Sequence, residues 1–271
     1  MYSTQRKLYS QNWFLNQELV ESLVRDSSIG KADTVLEIGP GKGIITQALI
    51  ERAGKVIAVE LDPRLYGSLR SRFARAPNLE LHHSDFLAFP LPNYPYKTFS
   101  NIPFRITSDI IRKLLRSPNP PLDSYLILQK EAAAKWAGDS LASLLLQPWF
   151  RFTILRELQR TDFVPVPRVD VVLMRIEKRA RPLIEEQYRK TFEDWLTYVF
   201  SRKKPYVVKL RSNPTQIGLV EWIILFHDFI RVPDRTSQSW VRGSASKLFA
   251  EQAKLTKIHR TRKDPRWKKY A

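Results

Sequence analysis

The sequence predicts an α/β fold, a mainly parallel sheet with helices on both faces, followed by a small all-helical domain. Three observations carry this. Apolar runs of strand length alternate with helical stretches from Thr34 to Gln129, the pattern left by right-handed crossovers between parallel strands. The first run ends in Gly39-Pro-Gly41-Lys-Gly43, where small residues permit a tight turn and a close ligand. Beyond Lys178-Arg-Ala-Arg-Pro182 the apolar period becomes helical throughout.

Residues 1–16 read as an arm, with the polar pair Gln11-Asn12 followed by apolar Trp13-Phe14-Leu15. Leu19, Val20, Leu23 and Val24 then recur at helical spacing between Gln17 and Arg25. Thr34–Ile38 is a buried strand, Ile44–Arg52 a helix, Lys55–Glu60 a second strand, Arg64 to about Arg75 a helix, and Leu79–His82 a short third strand. Lys97–Ser100 leads into Asn101-Ile-Pro-Phe104, with a helix over Ser108–Arg116 and a strand over Ser124–Gln129. Ala132–Trp149 reads as helical. Phe152–Leu158 and Val171–Glu177 have strand character and flank Phe163-Val-Pro165-Val-Pro167, which is too proline-rich for a central strand. Ile184–Phe200, about Gln216–Phe226 and Trp240 to about Ala253 are the helices of the second domain. The expected domains are therefore 1–178 and 179–271. The tail, Lys254–Ala271, carries eight Lys/Arg and one Asp, and is expected to be mobile.

Composition narrows the function classes. No segment approaches the roughly 18 uninterrupted apolar residues of a membrane helix, since the most apolar stretch, Gly218–Ile230, is broken by Glu221, His227 and Asp228. The N-terminus lacks a signal-peptide core, so a cytoplasmic protein is expected. With no cysteine there is neither a disulfide framework nor a thiolate ligand or nucleophile. The four histidines lack the spacing of a zinc hydrolase, and no metal is expected. The net charge is +18, and Ser201 to Ala271 holds 17 Lys/Arg against 5 Asp/Glu. Tyr206, Trp240, Trp267 and Tyr270 are interleaved with those cations, which points to a nucleic-acid partner.

The distinctive residues fall at strand ends, where ligands bind in such sheets. Glu60 closes the second strand about twenty residues after the glycine turn and is placed to accept from both hydroxyls of a ribose. Asp85, in Ser84-Asp85-Phe86, follows the third strand and suits the amino group of an adenine. Together these fit an adenosine-containing cofactor. The spacing Gly-x-Gly-x-Gly is not that of a dinucleotide fold, and this disfavours an oxidoreductase. Asn101-Ile-Pro-Phe104 supplies an acceptor, a kinked backbone and a flat ring, the parts needed to hold an exocyclic amine during a transfer onto it.

Seven segments in order resemble one family. They are Gln11-Asn12-Trp13-Phe14-Leu15, Glu37-Ile-Gly39-Pro-Gly41-Lys-Gly43, Val59-Glu60-Leu-Asp62, Ser84-Asp85-Phe86, Asn101-Ile-Pro-Phe104, Leu128-Gln129-Lys130-Glu131 and Phe163-Val-Pro165-Val-Pro167-Arg168-Val169-Asp170. Over about residues 5 to 178 the chain is similar to the ribosomal-RNA adenine N6-methyltransferases, comprising the Erm and KsgA types. The resemblance implies a Rossmann-like S-adenosylmethionine-dependent methyltransferase domain with ribosomal RNA as partner. Asn12 and the backbone at Phe14 would cover the cofactor, and Gly39 and Gly41 would approach its amino-acid part. Glu60, with Leu61 beside it, would take the ribose, and Asp85, with Phe86, the adenine. Asn101 would meet both the methionine end and the target. Asn101, Ile102, Pro103 and Phe104 would form the catalytic segment, with Phe163 stacking on the other face of the base. Trp13-Phe14 departs from the family's usual Gln-Asn-Phe-Leu.

Asn-Ile-Pro-Phe and the basic helical end resemble the Erm type. That implies a monomer methylating one adenine of 23S rRNA and conferring macrolide, lincosamide and streptogramin B resistance. The alternatives are a KsgA-type 16S rRNA dimethyltransferase and a non-catalytic assembly or transcription factor on the same fold.

Overall fold

Strand alternation explains why the sheet is covered on both sides. Val35, Val56 and Phe99 are fully buried, and so are Leu36 and Ile57, their neighbours on the opposite face. In the computed structural model, which describes residues 12–201, 217–231, 239 and 241–254, the elements run in the following order. First come β1 (Trp13–Phe14), α1 (Gln17–Arg25), β2 (Thr34–Ile38), α2 (Ile44–Arg52), β3 (Lys55–Glu60), α3 (Pro63–Arg72) and β4 (Leu79–His83). Then follow β5 (Lys97–Asn101), α4 (Thr107–Leu115), β6 (Asp123–Gln129), α5 (Lys130–Ala137), α6 (Leu141–Leu144), β7 (Phe150–Leu158), β8 (Phe163–Val164) and β9 (Val171–Lys178). Three further helices are α7 (Arg189–Ser201), α8 (Leu219–Arg231) and α9 (Ser244–Lys254).

Seven strands form one sheet in the order β4-β3-β2-β5-β6-β9-β7. From β4 to β6 the pairs are parallel, and β9 lies antiparallel to β6 from Asp123↔Glu177 to Gln129↔Val171. The mainly parallel α/β architecture is thus as expected. Val20, Leu23 and Val24 of α1 and Ala48 and Leu49 of α2 pack with Val35, Val56 and Phe99 in one cluster. Each such valine or leucine side chain contributes about 1.5–3 kcal/mol through burial. α1 starts where Asn16 caps the Leu19 N–H, and α3 where Asp62 caps Arg64 and Leu65 ahead of Pro63.

The described chain forms two compact units, drawn from Met1–Ala137 with Arg151–Lys178 and from Gly138–Phe150 with Arg179–Ala271. The second unit is packed through aromatic rings. Trp195 contacts Phe192, Trp222, Phe226 and Phe229 at centroid distances of 5.5–6.1 Å. The buried Asp194 carboxylate on α7 accepts from Gly243 N and Ala245 N at 2.8 and 2.9 Å, capping α9.

Several expectations need correction. The continuous helix expected over Ala132–Trp149 breaks after Ala137, because Gly138-Asp139 interrupts it and Ser140 caps the separate turn of α6. α7 begins at Arg189, not Ile184, with a 3-10 turn at Glu186–Tyr188 before it. β1 and β8 were not legible as strands, yet they pair antiparallel as a separate two-stranded sheet. Apart from Lys254, which ends α9, the tail expected to be mobile and the interleaved Tyr206, Trp240, Trp267 and Tyr270 lie outside the described residues.

Candidate active site

The order of the sheet reverses between β2 and β5, which makes their carboxyl ends the crevice of the fold. Only Val35↔Lys97 and Leu36↔Thr98 are paired across it. Beyond them the strands part, and the Ile38 N–H donates instead to Ser100 Oγ at 2.7 Å. Both partners are buried, so the hydroxyl satisfies an amide that the ladder has abandoned.

One side of the crevice is the glycine turn and the ends of β3 and β4. Gly41 and Gly43 have φ of 60° and 81°, a region that side chains rarely adopt. A Cβ at Gly41 would stand 2.9 Å from Trp13 Nε1, and one at Gly43 2.7 Å from Leu69 and Phe73. Gly39 donates to the Val59 carbonyl at 2.9 Å. Glu60 is 2% exposed. Its Oε1 accepts from Leu61 N and Asp62 N at 2.8 and 2.9 Å, and its Oε2 from Gly41 N at 3.0 Å. The carboxylate therefore joins the two turns, and three of its roughly four acceptor sites are taken. Asp85 is exposed and accepts from Leu87 N at 2.8 Å. Phe86 is buried and Leu61 is 36% exposed.

The other side is Asn101-Ile-Pro-Phe104 and the arm. Asn101 Nδ2 donates to the Asn12 carbonyl at 2.6 Å. A carbonyl can only accept, so the amide nitrogen must face it and Oδ1 is turned elsewhere. The Ile102 N–H donates to Ile127 O at 3.2 Å, holding the segment to β6. The Pro103 carbonyl accepts from Ile106 N and the Phe104 carbonyl from Thr107 Oγ1, which turns the chain into α4. A cleft is lined by Asn12, Trp13, Phe14, Gly39, Pro40, Lys42, Ile44, Ile45 and Asn101–Phe104. It thus brings together Asn12, Phe14, Gly39, Asn101, Ile102, Pro103 and Phe104. Gly41, Glu60, Leu61, Asp85 and Phe86 are not part of this lining.

Phe163 is placed differently from its expected position on the cleft wall. It has no exposed surface and lies behind Phe14, with ring centroids 4.5 Å apart. The pairing Phe14↔Phe163 and the Leu15 N–H to the Asp162 carbonyl at 2.9 Å hold it there. Trp13 lies on Gly41, its indole N–H is buried without a partner among the described residues, and Lys42 Nζ stands 4.7 Å from its ring.

One carboxyl here is expected to be neutral. Glu37 of β2 is 1% exposed, and its Oε2 has no hydrogen-bond partner among the described residues. Burial pushes its pKa up to about 8; the Thr46 hydroxyl opposes the rise and the Glu60 charge adds to it. Glu37 was named in the sequence only as the start of the glycine-turn segment, and Ser100 and Lys113 were not singled out there. A buried acid could have been suspected from its place inside an apolar strand, but a serine and a helical lysine gave no signal.

Comparison with known proteins agrees with this geometry. The model of the ribosomal RNA adenine dimethylase family matches residues 2–221. The chain is 32% identical over 200 residues to the rRNA adenine N-6-methyltransferase of Saccharopolyspora erythraea, a match covering 72% of this chain and 52% of that protein. It therefore spans about half the length of that relative. It is 36% identical over 219 residues to the dimethyladenosine transferase of Candida glabrata, covering 76% of this chain and 67% of the other. The structure is similar to that of the 23S rRNA methyltransferase ErmE, with a TM-score of 0.73 and 29% identity over 81% of this chain and 100% of that one.

Proposed function

The chain belongs to the ribosomal RNA adenine dimethylase family, and from that premise we propose that it methylates the exocyclic N6 of an adenine flipped out of 23S rRNA, with S-adenosylmethionine as donor. Such a product would confer resistance to macrolides, lincosamides and streptogramin B. The observation that carries the reading is the fixed orientation of Asn101. With Nδ2 committed to the Asn12 carbonyl at 2.6 Å, Oδ1 is the atom left to accept a hydrogen bond from an incoming amine.

The residues fit the donor. The glycine turn has no room for a Cβ at Gly41, and Glu60 keeps acceptor capacity at a strand end. Gly39 and Gly41 would hold the amino-acid part, Glu60 with Leu61 the ribose, and Asp85 with Phe86 the adenine, while Asn12 and Phe14 close over them. When bound, S-adenosylmethionine supplies an activated methyl group on a sulfonium. Asn101 Oδ1 and the Ile102 carbonyl would each accept a hydrogen bond from one amine N–H, favouring a pyramidal nitrogen with its lone pair free. Orientation of this kind supplies on the order of 7 kcal/mol or more. Pro103 would fix the kink between these acceptors and Phe104.

Extruding the base costs a few kcal/mol. Phe104, half-buried at the cleft, would return about 1–3 kcal/mol by stacking on it. Phe163 can offer the second face only once β1 has left β8, so the reading assigns the arm a movement. Residues 179–271 would hold RNA phosphates, with the steep salt dependence this brings. The protein would act as a cytoplasmic monomer.

The identity to a dimethyladenosine transferase favours a second reading, dimethylation of 16S rRNA. Labelled methyl transfer to naked 23S and 16S rRNA, followed by primer extension, separates the two. A stop confined to 23S rRNA is expected. A stop confined to 16S would reverse the choice, and transfer to neither would favour a non-catalytic binding factor.

A further inference from the structure

Two turns along α4 from Asn101-Ile-Pro-Phe104, Lys113 reaches the turn that follows β4. Its ammonium donates to three carbonyl oxygens, those of Phe86 at 2.6 Å, Leu87 at 3.0 Å and Phe89 at 2.5 Å. It also lies 4.9 Å from the centroid of the Phe86 ring, within the range of a cation–π contact. An ammonium has three protons to donate, and each has a carbonyl here. The same turn is closed by Asp85, whose carboxylate accepts from Leu87 N and whose carbonyl accepts from Ala88 N and Phe89 N. Three carbonyl dipoles converging on one point repel one another unless a compact cation sits between them. Burial pulls the Lys113 pKa down, and the Asp85 charge opposes that pull.

We propose that Lys113 is a positioning residue for the methyl donor: by clamping the 85–89 turn it holds Asp85 and Phe86 where they meet an adenosine. Because it stands on the helix that grows out of Asn101-Ile-Pro-Phe104, it also ties the donor edge to the segment that receives the target. The inference rests on the donor reading given above. It differs from simple fold stabilisation by predicting a loss confined to donor affinity.

The test is calorimetric titration of S-adenosylhomocysteine into the full chain, beside steady-state methyl transfer. Lys113→Met keeps the stem and removes the ammonium. Its Kd and donor KM should rise about tenfold, the effect of one charge-assisted hydrogen bond, while kcat at saturating donor stays within about twofold. Lys113→Arg restores a cation and should recover most of that loss. Asn119→Ala is the control, since the Asn119 amide clamps the carbonyls of Pro92 and Tyr94 at 3.0 and 2.8 Å on a different loop. It should lower the melting temperature and leave Kd unchanged.

A wild-type chain that does not bind S-adenosylhomocysteine would defeat the donor reading itself. Binding by the wild type with no change in Lys113→Met, or an equal shift in Asn119→Ala, would overturn the Lys113 inference alone. Should Lys113→Met fail to fold, hydrogen exchange on the wild type decides the matter. Added S-adenosylhomocysteine should protect the Leu87, Ala88 and Phe89 amides, and unchanged exchange would overturn the inference.

Discussion

The two sides of the crevice are held in different ways. On the donor side, Glu60 is buried and fixed by three backbone N–H groups from turns at adjacent strand ends. On the target side, the Asn101 side chain is held, among the described residues, by one bond to a carbonyl 89 residues away in the chain. That carbonyl precedes a strand of two residues, β1, whose Phe14 packs on Phe163. Local, redundant bonds make a rigid edge, whereas a few long-range bonds to a short strand open at small cost. The contrast suits a small donor that must be aligned and a polymeric target that must enter and leave.

Asn101→Ala should break the target side most severely. Turnover should fall about a hundredfold or more, the usual loss for one preorganised polar group at a reacting centre. Donor affinity should change by less than about threefold. Single-turnover methyl transfer and calorimetry measure the two separately, and full transfer by this variant would remove Asn101 from its central role.

Glu60→Gln addresses the opposite side. Its amide nitrogen must face an N–H donor, so the Kd for S-adenosylhomocysteine should rise about tenfold and the melting temperature should drop, with kcat at saturating donor much less affected. If Glu60→Gln lowered kcat and left Kd unchanged, the division between the two sides would collapse.

Glu37→Gln leaves both edges of the crevice in place and concerns β2, which carries the glycine turn. In the folded chain Glu37 stays protonated up to about pH 8, whereas its ordinary value is 4.5. Stability from this group is therefore complete below about pH 4.5 and is lost as pH rises towards 8. The variant lacks that slope, so its melting temperature relative to the wild type should climb from pH 5 to pH 8. Parallel melting curves at both pH values would refute the buried neutral acid.

Much of the sheet was legible because its strands are apolar runs ending in glycines and acids, and those residues sit at strand ends for steric and solvation reasons. Thr34–Ile38, Lys55–Glu60 and the segment at Asn101 could be placed from the sequence. The β1–β8 pairing could not, since two-residue strands have no period and their partners lie far apart in the chain. For the same reason a motif located Phe163 along the chain but did not reveal that Phe14 covers it. The break at Gly138 was visible in the sequence, yet the apolar residues around it suggested an unbroken helix. In the second unit, aromatic residues at helical spacing gave the helices but not the Asp194 cap, which depends on tertiary placement.

The parting of β2 and β5 has a consequence for how this cleft can change. Past two paired residues the Ile38 amide reaches β5 through the Ser100 hydroxyl, so this junction of the two strands depends on a side chain and not on the backbone ladder. Ser100 has no exposed surface, so removing its hydroxyl would strand the Ile38 amide and a bulkier group there would have to displace buried neighbours.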